Sequence, residues 1–232
     1  MKVSSLVQDF ISLLYPRLCF ACGNSLFRHE KVLCTQCLFE LPRTNFHRFP
    51  DNPLDKVFWG RVQVERTAAL YYFSKGGKVQ HLVHQLKYKG QKEVGIYMGK
   101  LLGNDLKAEP GFQSIHKIIP VPLHPRKQRK RGYNQSEQFA IGLAESTGIE
   151  MDVKSFVRTI ATETQTRKSR FARYENVKEI FKVTSPESLE NRHILLVDDV
   201  ITTGSTLESC ANILLQVPGV RISVAAIAYA VG

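Results

Sequence analysis

The sequence predicts an α/β protein with a mostly parallel sheet, helices on both faces, and a small N-terminal module that carries four cysteines. Short apolar stretches alternate along the chain with segments whose apolar residues recur at helical spacing. The apolar run 194–197 is typical of a strand buried on both faces of a parallel sheet. The cysteines form two Cys-x-x-Cys pairs within the first 37 residues.

At the N-terminus, the apolar residues of Met1–Leu14 fall at helical spacing and are interrupted by Gln8 and Asp9. This pattern favours an amphipathic helix over the continuous apolar segment of a signal peptide. No run approaches the roughly 18 apolar residues that span a bilayer. We therefore expect a cytoplasmic protein without a transmembrane segment.

The cysteine pairs predict a structural zinc site. Cys19 and Cys22 form one pair, and Cys34 and Cys37 the other, so that four thiolates can complete a closed tetrahedral site. Two disulfides or a redox-active Cys-x-x-Cys are the alternatives, although a cytosolic chain makes disulfides uncommon. The fifth cysteine, Cys210, falls on a predicted helix and is interpreted as a core residue.

Composition divides the chain into three parts. Residues 1–45 form the N-terminal helix and zinc module, 46–65 a linker, and 66–232 the α/β domain. The predicted elements of the domain are strands at 66–73, 115–121, 156–160, 194–197 and 220–229, and helices at 79–86, 92–106 and 134–147.

The segment from Ile194 to Thr206 carries the clearest functional signal. A buried strand ends in Asp198 and Asp199, and the hydroxyl-rich loop from Thr202 to Thr206 leads into a helix. Strand, loop and helix together point backbone N–H groups at a phosphate. The carboxylates fit a ligand that also carries hydroxyls or a divalent cation, as a ribose phosphate with Mg²⁺ does. The alternative is a solvated acidic pair in an ordinary strand–turn–helix. The residues assigned to the ribose phosphate are Asp198, Asp199, Thr202, Thr203, Gly204, Ser205 and Thr206.

Basic residues are concentrated directly after the strand at 115–121. Because ligands bind outside the carboxyl ends of parallel strands, this charged loop is a candidate anion site. A solvated basic turn is the alternative. The formal net charge of +11, from 32 basic and 21 acidic residues, favours polyanionic partners in general. The basic residues of this loop are Arg126, Lys127, Arg129, Lys130 and Arg131.

The polar stretch 161–178 is long for a connection in a compact domain, so it is a candidate lid over bound phosphates, or else a plain exposed loop. Its polar residues are Thr164, Gln165, Arg167, Lys168, Arg170, Arg173 and Asn176.

These motifs resemble a known family. Asp198 to Thr206 is similar to the PRPP-binding motif of type I phosphoribosyltransferases. Together with the cysteine pairs and the segments 86–90, 121–126, 131–135 and 165–177, the chain resembles the ComF/GntX family of competence-related proteins. The resemblance implies a type I phosphoribosyltransferase-like sheet, PRPP bound with Mg²⁺, and Lys87 and Lys89 facing the same cleft. It also implies a pyrophosphate loop of Leu123, His124, Pro125 and Arg126, and a flexible loop that includes Arg167, Lys168, Arg170 and Arg173.

Two functions remain open from the sequence. The first is a PRPP-binding protein of DNA uptake in natural competence, working with other competence or DNA-processing proteins. Its basic face would bind single-stranded DNA through Arg126 to Arg131, with Tyr133, Phe171 and Tyr174 as stacking platforms. The second is an active phosphoribosyltransferase that moves ribose 5-phosphate from PRPP to an acceptor and releases pyrophosphate.

Overall fold

The computed structural model describes residues 15–159 and 181–231. The amphipathic helix expected over 1–14 and the lid expected over 161–178 therefore lie outside the described residues. The helices are α1 (Thr35–Glu40), α2 (Pro53–Lys56), α3 (Lys78–Tyr88), α4 (Lys92–Lys107), α5 (Pro125–Arg131), α6 (Gln135–Thr147) and α7 (Ser205–Leu214). The strands are β1 (Thr67–Phe73), β2 (Lys117–Pro120), β3 (Glu150–Met151), β4 (Phe156–Arg158), β5 (Phe181–Val183), β6 (His193–Ile201) and β7 (Arg221–Ala230).

Five strands form one parallel sheet in the order β1-β7-β6-β2-β3. This arrangement confirms the predicted parallel α/β fold. The strands β4 and β5 pair antiparallel as a separate two-stranded sheet. None of the helices in the described ranges is long and apolar enough to cross a membrane.

The apolar side chains of β6 divide between two hydrophobic clusters, as the two-residue period of a strand requires. Leu195 and Val197 pack with α3, α4 and α6, whereas Ile194 and Leu196 pack with α7. Helices therefore cover both faces of the sheet, and a strand buried on both sides can be continuously apolar.

The segment 46–65, which composition predicts to be a linker, packs against the domain. Leu54 and Phe58 are buried in the same cluster as α7. Asn52 caps the short helix α2 in a reciprocal capping box. Just before this segment, Thr44 N–H donates to the Leu70 carbonyl, and Tyr72 N–H donates to the carbonyl of residue 42. The exposed edge of β1 is thereby covered.

The charged stretch after β2 is a helix, not the loop that its charge density predicts. His124 accepts a hydrogen bond from the Arg126 N–H, Pro125 opens the first turn, and Gly132 ends the helix with a φ of 79°. These end signals bracket α5 even though none of its residues is buried. Strand β6 also runs further than predicted, because it continues through both aspartates to Ile201.

Helices α4 and α6 approach closely through glycines. A Cβ on Gly99 would lie 2.2 Å from the Phe139 carbonyl oxygen and 2.9 Å from the Gly142 Cα. A Cβ on Gly142 would lie 2.0 Å from the Ile96 carbonyl oxygen. Because these neighbours are backbone atoms, the helices must separate to accept any side chain.

We therefore expect Gly99→Ala to lower the free energy of unfolding by about 1–3 kcal/mol, despite the better helix propensity of alanine. Urea denaturation would measure the change. Asn104→Ala is the matched control, since Asn104 is exposed on the same helix. Equal stability of the two variants would contradict the close packing.

Candidate functional site

The strands β2 and β6 lie next to each other in the sheet, and the chain leaves them towards opposite edges of the sheet. After β2 it continues to β3 on one side, and after β6 to β7 on the other. Such a divergence opens a crevice at the carboxyl ends of the strands, where α/β proteins bind ligands. Segments 121–124 and 202–204 follow these two strand ends, so the sheet brings both predicted phosphate-binding segments to one edge.

Asp198 is partly buried in this crevice. Its Oδ1 accepts a hydrogen bond from the Ser136 hydroxyl and another from the Asp199 N–H, both at 2.8 Å. Burial raises the pKa of Asp198, and the neighbouring Asp199 charge raises it further, to about 7. Ser136 and Lys87 act in the opposite direction because they favour the ionised carboxylate.

Asp199 is 8% exposed and is paired with a lysine. The Lys87 Nζ lies 2.8 Å from the Asp199 Oδ1. Lys87 comes from the last turn of α3, while Lys89, which the resemblance places in the same cleft, is exposed at the helix end. The ammonium group therefore offsets the charge of the acidic pair from one side.

The loop 202–206 follows directly after the end of β6. It encloses, with Asp198 and the end of β6, a cavity of about 40 Å³. The Thr203 and Ser205 hydroxyls lie 3.0 Å apart, and α7 begins at Ser205, so hydroxyls and helix N–H groups share one small space. That combination of donors suits a phosphate.

Arg61 supports this loop, and no pattern in 46–65 indicated it. Its guanidinium donates to the Thr203 carbonyl at 2.8 Å and forms a salt bridge with Glu208 on α7. Gly204 has a φ of 71°, and a Cβ there would lie 2.7 Å from Val57 Cγ1. The segment 46–65 therefore fixes the loop 202–206, the predicted phosphate site, from outside the sheet.

In the predicted pyrophosphate loop, Leu123 and His124 lie between β2 and α5, whereas Pro125 and Arg126 form the first turn of α5. Arg126, Lys127, Arg129 and Lys130 are exposed, whereas Arg131 donates to the Gln135 Oε1 at 2.6 Å. A cavity of about 290 Å³ lies between α5 and the end of α3. It is lined by Lys87, Tyr88, Gly90, Lys127, Lys130 and Arg131.

Tyr133 does not lie open as a stacking platform. It is 7% exposed, and its hydroxyl donates to the Leu86 carbonyl. Tyr88, which lies within one of the family-like segments, is instead 64% exposed with the Arg131 guanidinium 5.4 Å from its ring centroid. The sequence contained a signal for it, an aromatic residue between two lysines at a helix end.

The candidate residues Arg167, Lys168, Arg170 and Arg173, with Phe171 and Tyr174, lie outside the described residues.

The four N-terminal cysteines converge. Their sulfur atoms all lie within 4.8 Å of one another, and none forms a disulfide. The Sγ atoms of Cys22 and Cys34 are 3.8 Å apart, which is about the edge of a tetrahedron with Zn–S bonds of about 2.3 Å. These cysteines could therefore bind a metal such as zinc.

Backbone N–H groups of the cysteine module also donate hydrogen bonds to the cysteine sulfur atoms. The Cys34 N–H donates to the Cys19 Sγ at 3.3 Å, and the Cys37 N–H to the Cys34 Sγ at 3.4 Å. Burial alone would raise the pKa of Cys19, but hydrogen bonds from the backbone N–H groups of Cys34, Cys22 and Ala21 lower it to about 7. Cys210 is fully buried, and burial raises the pKa of its thiol, as a core residue requires.

The acidic pair should give stability a specific pH dependence. The pKa of Asp198 in the folded state lies above its ordinary value of 3.8, so the native state binds this proton more tightly than the unfolded state. This contribution to the free energy of unfolding is therefore fully present below about pH 4, falls as pH rises to about 7, and is then constant. Asp199→Asn should flatten the slope because it removes a neighbouring negative charge. Urea denaturation across this pH range would measure it, with the exposed Glu187→Gln as control. Equal slopes for Asp199→Asn and wild type would contradict the coupling.

Comparison with known proteins agrees with this architecture. Residues 79–230 match the phosphoribosyl transferase domain family. The DNA utilization protein YhgH of Shigella flexneri is 34% identical over 203 residues, which cover 86% of this chain and 84% of the relative. Competence protein ComFC of Bacillus subtilis is 30% identical over 93% of this chain and 78% of the relative. Competence protein F of Haemophilus influenzae is 32% identical over 64% of this chain and 67% of the relative. With its five-stranded parallel sheet, the chain thus belongs to the phosphoribosyl transferase domain family, among the ComF-type competence and DNA utilization proteins that its motifs resemble.

Proposed function

We propose that this protein binds PRPP, with Mg²⁺, at the crevice between β2 and β6. The observation that carries the proposal is that Asp198 lines the same small cavity as the hydroxyl-rich loop, Thr202 to Thr206. In this assignment the carboxylates bind the ribose hydroxyls, the loop binds the 5′-phosphate, and Leu123 to Arg126 bind the pyrophosphate. Membership in the phosphoribosyl transferase domain family supports it.

The donor set fits this ligand. Asp198 uses one oxygen for Ser136 and the Asp199 N–H, and Asp199 uses one for Lys87. Within the described residues, each carboxylate thus keeps an oxygen for ribose hydroxyls or Mg²⁺. The cation would be held by these two carboxylates and would offset the repulsion between them and the ligand phosphates. Lys87 supplies positive charge to the same carboxylates from the protein.

We further propose that the protein acts in DNA uptake, with a basic face that binds single-stranded DNA and with other competence or DNA-processing proteins as partners. The names of the relatives, DNA utilization protein and competence protein, support the role. Four exposed cations on α5 and the net charge of +11 support the ligand. Binding of this kind weakens steeply as salt rises.

The zinc assignment completes the proposal. Four cysteine ligands leave no open coordination position, so the metal would be structural. The module shares a hydrophobic cluster with α3 and α4, and His81 Nδ1 on α3 lies 3.3 Å from the Ala21 carbonyl oxygen. Metal binding would therefore stabilise the module and its contact with the phosphoribosyltransferase-like domain, residues 66–232.

Calorimetric titration with PRPP and Mg²⁺ tests the ribose phosphate site. The double variant Asp198→Asn/Asp199→Asn should weaken binding about 100-fold or more, because two charge-assisted contacts are lost while the side-chain shape is kept. Glu187→Gln/Glu190→Gln is the matched control, since it removes two exposed acids that precede β6 at its opposite end. Unchanged affinity in the Asp198/Asp199 variant would refute the assignment.

Elemental analysis tests the metal. We expect one zinc per chain, lost in Cys19→Ser together with a lower melting temperature. Cys210→Ala is the control that should keep the zinc, because Cys210 lies in the sheet core away from the cluster. A natively purified protein without metal would remove the zinc assignment.

A further inference from the structure

The cavity between α3 and α5 combines cations with an open aromatic ring. Four of its six lining residues are basic, and Tyr88 is the aromatic residue among them. Lys127 and Lys130 are exposed, and neither forms a salt bridge with a carboxylate in the described parts of the chain. Lys87 is paired with Asp199, but the charges of Lys127 and Lys130 are not neutralised by any described carboxylate.

Tyr88 is held in place although most of it is exposed. The His84 ring, one helical turn earlier, lies 5.1 Å from the Tyr88 ring, and the Arg131 guanidinium lies 5.4 Å from it. Gly90, with a φ of 74°, follows the C-terminal end of α3 and lines the cavity beside Tyr88. Tyr88, which is 64% exposed, therefore presents an open ring beside the cations of the cavity.

The cavity adjoins the proposed ribose phosphate site. Lys87 lines it and also holds Asp199 at 2.8 Å. A ligand in the cavity would therefore lie next to the acidic pair, on the side of the crevice that α3 and α5 cover.

We propose that this cavity binds an unpaired nucleotide, with the base stacked on Tyr88 and its phosphate held by Lys127 and Lys130. The proposal rests on the nucleic-acid part of the proposed function. Aromatic rings stack with any base, and neighbouring cations bind the backbone that links successive bases. A volume of about 290 Å³ is near the lower end of small-ligand pockets, which suits one nucleotide. The base must be unpaired, because bases in a duplex are already stacked on each other.

Fluorescence anisotropy with a labelled oligothymidylate of about 16 nucleotides tests the stacking. Tyr88→Ala should bind about 5- to 100-fold more weakly, and Tyr88→Trp should restore binding. The slope of log affinity against log salt should stay unchanged in Tyr88→Ala, since stacking releases no counterions. In Lys127→Gln/Lys130→Gln the slope should become shallower by roughly 0.7 for each lost phosphate contact. Phe39→Ala, at a residue 82% exposed on the cysteine module, is the matched control and should bind as wild type.

Two further measurements separate the possible outcomes. An oligonucleotide carrying 5-iodouracil should photo-cross-link to Tyr88, as peptide mass spectrometry would show. Competition with thymidine monophosphate distinguishes the sources of the nucleotide: displacement only by the oligomer identifies a strand, and displacement by the monomer at similar concentration identifies a free nucleotide. Full affinity in Tyr88→Ala without a cross-link would overturn this subsite while leaving DNA binding elsewhere intact. If wild type bound neither the oligomer nor the monomer, both the subsite and the DNA role would be refuted. Titration of wild type with PRPP tests the ribose phosphate site independently of this result.

Discussion

Two adjacent carboxylates at the end of a buried strand repel each other, and the surroundings of Asp198 and Asp199 are arranged to hold them together. Each acid has a different partner from a different helix: the Ser136 hydroxyl from α6 for Asp198, and the Lys87 ammonium from α3 for Asp199. Because a charge pair of this kind is costly without such partners, α3 and α6 must both be docked correctly before the site can exist. The close packing of α4 against α6 through Gly99 and Gly142 is part of that docking.

The same dependence extends to the part of the chain before the sheet. Arg61 and Val57 contact the loop around Gly204, so the loop proposed to bind the phosphate is fixed partly by residues about 140 positions away in sequence. The cysteine module contacts α3, which carries both Lys87 and Tyr88. Residues before the sheet thereby position the side chains that are proposed to bind the ligands.

The sequence was sufficient for those features that depend on local order. The strand of apolar residues before Asp198, the paired cysteines and the end signals of α6 at Asn134 and Gly148 all have short-range physical causes, and each is found in the structure. Features that depend on distant contacts were not predictable. The high charge density of α5 is typical of a loop, so the helix was not predicted. The contact of Arg61 with Thr203 has no local sequence pattern. The burial of Tyr133 depends on its contact with Leu86 in another helix. An aromatic residue among arginines looks the same in sequence whether it is buried or exposed. The three-dimensional structure was therefore needed to replace Tyr133 by Tyr88 as the candidate stacking residue.

The cover over β1 has a consequence for the behaviour of the protein without metal. An uncovered edge strand offers unpaired N–H and C=O groups to strands of other molecules. Here the edge is occupied by the chain just after the cysteine cluster, where Arg43 bridges to Tyr71 and its guanidinium lies 2.9 Å from Asp105. At the opposite edge, β3 is only two residues long and offers little to pair with. If the cluster binds a metal as proposed, loss of that metal would unfold the module, and the chain that covers β1 would lose its anchor. A metal bound at the cluster would therefore also limit aggregation, because its loss would expose β1 as a template for intermolecular β-structure.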